Sequence, residues 1–454
     1  MGIWGSSRNE VGVGGKGMCW VQKTKGTDKH RAHKDVDSLP PERRTFMVLM
    51  MCVMAGGVGL SAQTKPPNSQ KSVAPATMEA LPNLERGFLH FYNLEYPEAI
   101  RAFEQEIRER PDTARPYNHL AQAVLYRVLF RAGALESQLV SGNNPFLRRA
   151  GAEIRPQEKS DFFRCIDKVM SLTEQALAKD PNDIEALYSR GITFGLRGNY
   201  YFLVEKSWRA ALSDATEARK LHNRVVELKP EFVDARLVQG MHDYIVGSLS
   251  VFYKMLGFLA GFRGDKARGI ATLEEVARKG TRVPYDAKVF LAAIYRREGA
   301  KEMAKAVPIL RELSTKFPQN HLFRLELVQL YSDLEQEQQA RAVLAEMDAT
   351  LAKNANAFPR MPKARLAYAK GNFLFWYRDF DAALPQLRAA SQGSEDLDLH
   401  TGVLAYMRLG QAYDMKGERA NAQTAYRKAI ALAPQSDVAR ESRGYLNRPY
   451  RRAD

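Results

Sequence analysis

The sequence predicts an all-α fold, a right-handed α-solenoid of antiparallel helix hairpins. Small and large apolar residues recur at helical spacing through most of the 454 residues. Turns rich in glycine and proline separate these segments, and the alternating Val, Ile and Thr runs that mark strands are nearly absent. A single hairpin cannot bury its own apolar face, so this pattern requires neighbouring hairpins that stack side by side in a superhelix.

Residues 1–62 are predicted to be a leader that carries an export signal. Arg43 and Arg44 precede an apolar stretch that ends in small residues, which is the organisation of a secretory signal cleaved after Ala62. The stretch is short and rich in glycine for a membrane anchor, which is the alternative. Residues 63–76 are rich in Pro, Ser and Lys and are expected to be a flexible linker. We therefore expect an exported protein, periplasmic or associated with the cell envelope.

The stretch 406–434 holds the clearest helix hairpin. Two helical faces flank a turn at 416–418, and Pro434 ends the second helix because proline cannot continue it. Gly410 is small where the two helices cross, whereas tyrosine rings fill the space between neighbouring hairpins. The positions that carry the pattern are Tyr406, Leu409, Gly410, Tyr413, Ala422, Tyr426, Ala429 and Pro434.

These positions resemble the signature of the tetratricopeptide repeat (TPR) family in residue type and spacing. The resemblance implies that 77–445 is a TPR-type solenoid, with irregular inserts at about 126–160 and 199–283, and that 446–454 is a polar tail. It also implies a non-catalytic scaffold or peptide-binding module. Weaker copies of the pattern occur in 84–111, 184–196, 287–318, 321–347 and 364–390.

The second insert combines two unusual segments. A long second helix is expected from about residue 199 to Leu228, and residues 245–262 are apolar except for Lys254. The apolar segment has the length of a bilayer-crossing helix, but a lysine at its centre would be costly in lipid. We predict burial in the solenoid, with Gly247, Gly257 and Gly261 at close contacts. Contact with a membrane surface and a true span are the alternatives.

Residues 239–276 also resemble the middle of the tetratricopeptide repeat protein 39 group. In both, an apolar segment runs into Gly-Phe-x-Gly-Asp, here 261–265, and then into a helix, here 270–276. The resemblance would imply a membrane-proximal repeat protein without enzymatic activity. Asp265 is in addition expected to cap the helix that follows it.

No pattern of residues in the chain predicts catalysis, a cofactor or a metal site. The histidines are scattered without an i,i+4 pair, and no GxSxG motif is present. Three cysteines occur, and Cys165 alone would remain after removal of the leader, so a disulfide framework is excluded. We expect Cys165 to be buried. The net charge is +15, but no basic run with interleaved aromatic residues suggests nucleic-acid binding.

The predicted function is therefore protein binding through a concave groove. The TPR resemblance implies that the first helix of each hairpin lines this groove, where aromatic and amide side chains suit contact with a protein or peptide partner. The alternative is an envelope assembly or transport accessory factor that contacts lipid through 245–262. The candidate partner-binding residues are Tyr188, Ile192, Tyr368, Asn372, Trp376, Met407 and Gln411.

Overall fold

The described structure consists of helices joined by short turns. A computed structural model describes residues 81–135, 151–248 and 263–452. Within these ranges the regular elements are α-helices and short 3-10 turns, without a strand, so the predicted all-α class is confirmed. The predicted leader and linker lie outside the described residues.

Consecutive helices pair into hairpins 1 to 8. The pairs are α1/α2, α3/α4, α5/α6, α7/α8, α9/α11, α12/α13, α14/α15 and α16/α17, with α10 a single turn inside hairpin 5 and α18 a terminal cap. The helices are α1 (Asn83–Tyr92), α2 (Tyr96–Glu109), α3 (Ala114–Arg131), α4 (Pro156–Lys179), α5 (Ile184–Leu203), α6 (Trp208–Leu228), α7 (Arg236–Gly247), α8 (Lys266–Lys279), α9 (Pro284–Arg297), α10 (Ala300–Met303), α11 (Ala306–Lys316), α12 (His321–Asp333), α13 (Glu337–Lys353), α14 (Lys363–Trp376), α15 (Phe380–Gln392), α16 (Leu399–Met415), α17 (Arg419–Leu432) and α18 (Asp437–Asn447).

Glycine allows the two helices of a hairpin to approach closely. A Cβ atom added to Gly410 would lie 2.5 Å from the ring of Tyr426, so the predicted close approach of the helices at Gly410 is confirmed. Tyr426, whose ring was expected between neighbouring hairpins, packs on Gly410 of its own hairpin. Hairpin 1 repeats this arrangement, because a Cβ on Gly87 would lie 2.3 Å from the ring of Phe103. Since such distances are below van der Waals contact, a larger residue at either glycine would separate the helices.

The two helices of hairpin 3 are both long, which corrects one prediction. A second helix was expected from about residue 199, but α5 continues to Leu203 and α6 begins at Trp208. Tyr200 and Leu203 are buried, so the apolar face of α5 continues past Gly198 and keeps this segment in the first helix. Lys206, with φ of 55°, makes the turn. The predicted end at Leu228 is confirmed.

Hairpin 4 brings backbone against backbone. A Cβ on Gly269 would lie 2.4 Å from the amide nitrogen of Tyr244, and one on Gly247 would lie 2.2 Å from that of Lys266, so the predicted close contact of Gly247 is confirmed. Of the predicted apolar segment, 245–248 end α7, and 249–262 with Lys254, Gly257 and Gly261 lie outside the described residues. Among the helices of the described ranges, none combines the length and apolarity needed to cross a membrane.

Hairpin 1 closes across the inner side of the solenoid. The hydroxyl of Tyr92 donates to Oδ2 of Asp286 in hairpin 5 over 2.8 Å, although 194 residues separate them along the chain. Nδ2 of Asn320, which caps α12, donates to the carbonyl of Tyr92 over 2.7 Å. Arg360 pairs with Glu98 of α2 at 3.1 Å. The first hairpin is therefore held against hairpins 5 and 6 as well as against its neighbour.

Candidate binding groove

The first helices of successive hairpins line one concave groove. Residues of α3, α5, α7, α9, α12 and α14 face a cavity of about 290 Å³, and the end of α1 lies across it. The resemblance to the tetratricopeptide repeat family implied this arrangement for a binding surface. The lining is mainly apolar and aromatic, as in Phe91, Tyr126, Leu203, Met241, Phe290 and Phe323.

The groove has a closed end and an open end. At the closed end the lining residues Phe91, Leu203 and Met241 are buried, and the end of α1 lies across the cavity there. At the open end Val289 of α9 is 36% exposed and Trp376 of α14 is partly exposed. The open end can therefore be reached by a large partner, whereas the closed end can be reached only by a group that enters the cavity.

Charged groups at the open end form ion pairs with each other. Arg296 pairs with Glu326 and, over 2.8 Å, with Asp333, which also accepts a hydrogen bond from Gln329. Burial alone would lower the pKa of Arg296, but the two carboxylates outweigh burial and raise this pKa. This cluster therefore stabilises the α9/α12 contact.

Two polar side chains distinguish the closed end. Asp286, 7% exposed, accepts the hydrogen bond from Tyr92, and burial raises the pKa of its carboxyl from 3.8 to about 7. Asn199 of α5 is fully buried and lines the same cavity, yet neither its amide oxygen nor its amide nitrogen has a hydrogen-bond partner among the residues that the structure describes. Buried polar atoms are nearly always paired, so Asn199 points to an absent polar group.

Three of the seven candidate residues line the groove together. Tyr368, Asn372 and Trp376 follow one another along the inner face of α14. The chain itself already engages two of them. Nε of Arg408 donates to Oδ1 of Asn372 over 3.1 Å, and the ring of Trp376 lies between the guanidinium groups of Arg408 and Arg452 at 4.9 and 4.7 Å.

The other four candidates do not line the cavity. Tyr188 and Ile192 are 2% and 5% exposed, and Tyr188 packs on the ring of His222 within hairpin 3. Met407 and Gln411 are 5% and 3% exposed, and Gln411 accepts a hydrogen bond from Arg408. Their side chains turn into the packing between helices, so the structure does not bring the seven residues together.

The polar residues of the closed end carried no recognisable signal in the sequence. Asp286 stands in the first turn of α9, where an acidic residue is ordinary. Asn199 stands where the sequence predicted the start of a second helix. Their proximity to one cavity depends on the closure by hairpin 1, which spans 194 residues and cannot be recognised from local spacing.

The described residues hold no cluster suited to a metal ion. No group of three His, Cys, Asp or Glu side chains converges within them. Cys165 is fully buried, as predicted, and burial raises the pKa of its thiol to about 12, so the thiol is not ionised near neutral pH.

Comparison with solved structures finds remote likenesses. A chain of the APC/C hetero-tetramer Cut9–Hcn1 is 16% identical, with 81% of this chain and 75% of that chain covered and a TM-score of 0.35. The human IFIT1 dimer with m7Gppp-AAAA is 14% identical, with 91% and 85% covered and a TM-score of 0.38. Yeast Tom70 is 14% identical, with 81% and 95% covered and a TM-score of 0.27. Likeness at this level carries no argument about what this chain binds. No curated protein matches the chain.

Comparison with protein families supplies a direct match. The family model described as Tetratricopeptide repeat matches residues 403–436, the hairpin in which Gly410 packs against Tyr426. Hairpins 1 and 7 show the same packing, with Gly87 against Phe103 and Gly371 against Leu387. The resemblance of 239–276 to the tetratricopeptide repeat protein 39 group stays a prediction. Residues 403–436 are therefore a tetratricopeptide repeat.

Proposed function

We propose that this protein is a non-catalytic scaffold that binds a protein or peptide partner at the open end of the groove. The observation that carries the proposal is the apolar surface there. Val289 is 36% exposed on α9, and Phe323 and Trp376 of the adjoining inner faces are partly exposed. Exposed aromatic and aliphatic side chains in a concave surface are the usual anchors for a partner.

Substitution of Val289 by aspartate is expected to abolish partner binding while the fold is retained. Its exposure lets the fold tolerate a carboxylate, but the charge would have to be desolvated under a bound partner. Recovery of partners from an envelope extract, measured by quantitative mass spectrometry, should fall at least tenfold. The double variant Tyr368→Ala/Trp376→Ala should have the same effect.

Leu432→Asp is the matched control. Leu432 is 40% exposed on α17 and lies outside the groove, so its substitution should leave recovery unchanged. If Val289→Asp and the double variant both bind every partner of the wild type, the open end of the groove is not the binding surface.

We also propose that the protein is exported to the cell envelope. The proposal is supported by the two arginines and the apolar stretch that precede Ala62. Sequencing of the mature N-terminus is expected to give Gln63 as the first residue. A protein that retains residues 43–62 and fractionates with the cytoplasm would contradict export.

A further inference from the structure

Asp286 is a buried carboxyl group that has no cationic partner in the described part of the chain. Asp286 lines the closed end of the groove and is 7% exposed. Its Oδ2 accepts a hydrogen bond from the hydroxyl of Tyr92 over 2.8 Å. Within the described ranges no lysine, arginine or histidine forms an ion pair with it. A carboxylate in such a place is costly until a positive charge enters beside it.

The cations around the cavity do not form an ion pair with Asp286 within the described residues. One of them, Arg365 of α14, lines the same cavity, and its guanidinium lies 5.9 Å from the ring of Tyr368. From the 3-10 turn before α7, Asp234 adds negative charge, and Tyr92 from α1 and Tyr188 from α5 are neutral phenols. At the start of α9, Arg282 is committed to Glu185. At the end of α9, Arg296 is committed to Glu326 and Asp333. The arginines at both ends of α9 are thus engaged elsewhere.

The walls of the closed end suit an apolar cation. Phe91, Tyr126 and Phe290 present aromatic rings to the cavity, and ring faces attract ammonium groups. Leu203 and Met241 supply aliphatic surface for the remainder of a ligand. A carboxylate beside aromatic and aliphatic walls is complementary to a molecule with one ammonium group and an apolar body.

Asn199 and the size of the cavity narrow the ligand class. The unpaired amide of Asn199 offers one acceptor and two donors to a second polar contact. The cavity of about 290 Å³ is near the lower limit of small-molecule pockets, which is about 300 Å³. It can hold a small molecule but not a helix or a long peptide.

We propose that the closed end of the groove binds a small apolar amine, whose ammonium group lies against the Asp286 carboxylate and whose apolar body packs on Phe91 and Phe290. This site goes beyond the proposed protein binding at the open end. An anionic ligand is disfavoured because it would face Asp286. A neutral ligand would leave the Asp286 carboxylate without a positively charged partner.

The test compares three probes of equal chain length on the full chain. Octylamine, octanol and octanoate are titrated at pH 8 by displacement of N-phenyl-1-naphthylamine fluorescence. Octylamine is expected to bind at least tenfold more tightly than octanol, and octanoate more weakly than both. In Asp286→Asn the advantage of octylamine over octanol should disappear, while octanol still binds. Asp348→Asn is the control, because Asp348 is an exposed carboxylate outside the groove, and it should keep the wild-type order.

Ala293→Phe is a second variant that tests the site even if Asp286→Asn fails to fold. Ala293 is partly exposed on the groove wall, so a larger side chain there should weaken the binding of octylamine and octanol together without loss of helical circular dichroism.

Equal affinity for octylamine and octanol in the wild type would overturn the proposal, as would an amine preference that survives Asp286→Asn. Tighter binding of a lysine-containing apolar peptide than of octylamine would assign the site to the protein partner instead. Failure of octylamine to bind while Val289→Asp still abolishes partner capture would refute this inference and leave the scaffold function standing.

Discussion

Lowering the pH from 7 to 5 is expected to reduce the free energy of unfolding by about 3 kcal/mol. The cause is three histidines that are buried without a charged partner. His119 is fully buried between the rings of Phe88 and Phe103, and neither of its ring nitrogens has a hydrogen-bond partner within the described ranges. His222 and His321 are each 2% exposed.

Burial disfavours the imidazolium form of all three. It lowers the pKa of His222 from 6.5 to about 4, although the carbonyl of Ala218 opposes the shift, and lowers that of His321 to about 3. Burial, assisted by the charges of Arg115 and Arg282, places the pKa of His119 well below 6.5. Below pH 6.5 the unfolded chain therefore binds three protons that the folded chain does not bind.

The titration of Asp286 has the opposite effect on the free energy of unfolding. Its pKa is raised in the folded state from 3.8 to about 7, so the folded chain takes up this proton first as the pH falls through 7. Three histidines against one aspartate leave a net excess of about two protons on the unfolded chain. Each excess proton lowers the stability by about 1.4 kcal/mol for each pH unit, and the full slope develops only below pH 6.5. The expected loss by pH 5 follows from these values.

Urea denaturation followed by circular dichroism at constant ionic strength measures this loss. His119→Leu should cut it by about 2 kcal/mol, because one of the three protons no longer distinguishes the folded from the unfolded chain. The variant should also be at least as stable as the wild type at pH 8, since two unpaired nitrogens leave the core. Equal stability at pH 7 and pH 5, or an unchanged pH dependence in His119→Leu, would contradict this account.

The repeat architecture could be predicted because it depends on local contacts. Gly410 contacts Tyr426 within one hairpin, so a short stretch of the sequence contains the spacing that brings them together. The same pattern marked 184–196 as a weaker copy, but it does not give the residue that packs against Gly191. In hairpin 3 both helices are lengthened, and Gly191 packs against His222 instead of a residue at the family's spacing. The helices could be expected there, whereas their lengths depend on how far the apolar face of α5 remains buried.

The binding site could not be predicted to the same extent, because it depends on the path of the whole superhelix. Small rotations between hairpins add along the chain, and their sum brings Tyr92 to Asp286. No local pattern encodes that sum. Family geometry predicted Tyr368 and Trp376 on the inner face, and both line the cavity, where α14 is a regular first helix. The same geometry applied to Tyr188 pointed to the groove, yet that ring packs inside the elongated hairpin 3.

Asp234→Ala is expected to reduce the free energy of unfolding by about 3–5 kcal/mol. Asp234 is 3% exposed in the 3-10 turn before α7, and its carboxylate holds the loop between α8 and α9. Oδ1 accepts from the amides of Arg282 and Val283 over 2.7 and 2.9 Å, and Oδ2 accepts from the amide and the hydroxyl of Thr281 over 3.2 Å. Alanine would leave these donors without a partner, including the buried amide of Val283.

The loop that Asp234 holds also sets the start of α9. It carries Arg282, whose guanidinium lies 4.7 Å from the ring of Phe232 and pairs with Glu185 of α5, and it delivers Asp286 and Val289 to the groove. Asp234→Ala should therefore also remove hydrogen-exchange protection at the amides of 281–283.

The matched control for this substitution is Asp265→Ala. Its carboxylate caps α8 through the single amide of Arg268, so its loss should cost about 1 kcal/mol. Urea denaturation of both variants at pH 7 separates the two costs. Equal costs for the two would mean that the loop does not depend on Asp234, and that the packing of Arg282 alone sets the position of α9 and of the groove residues it carries.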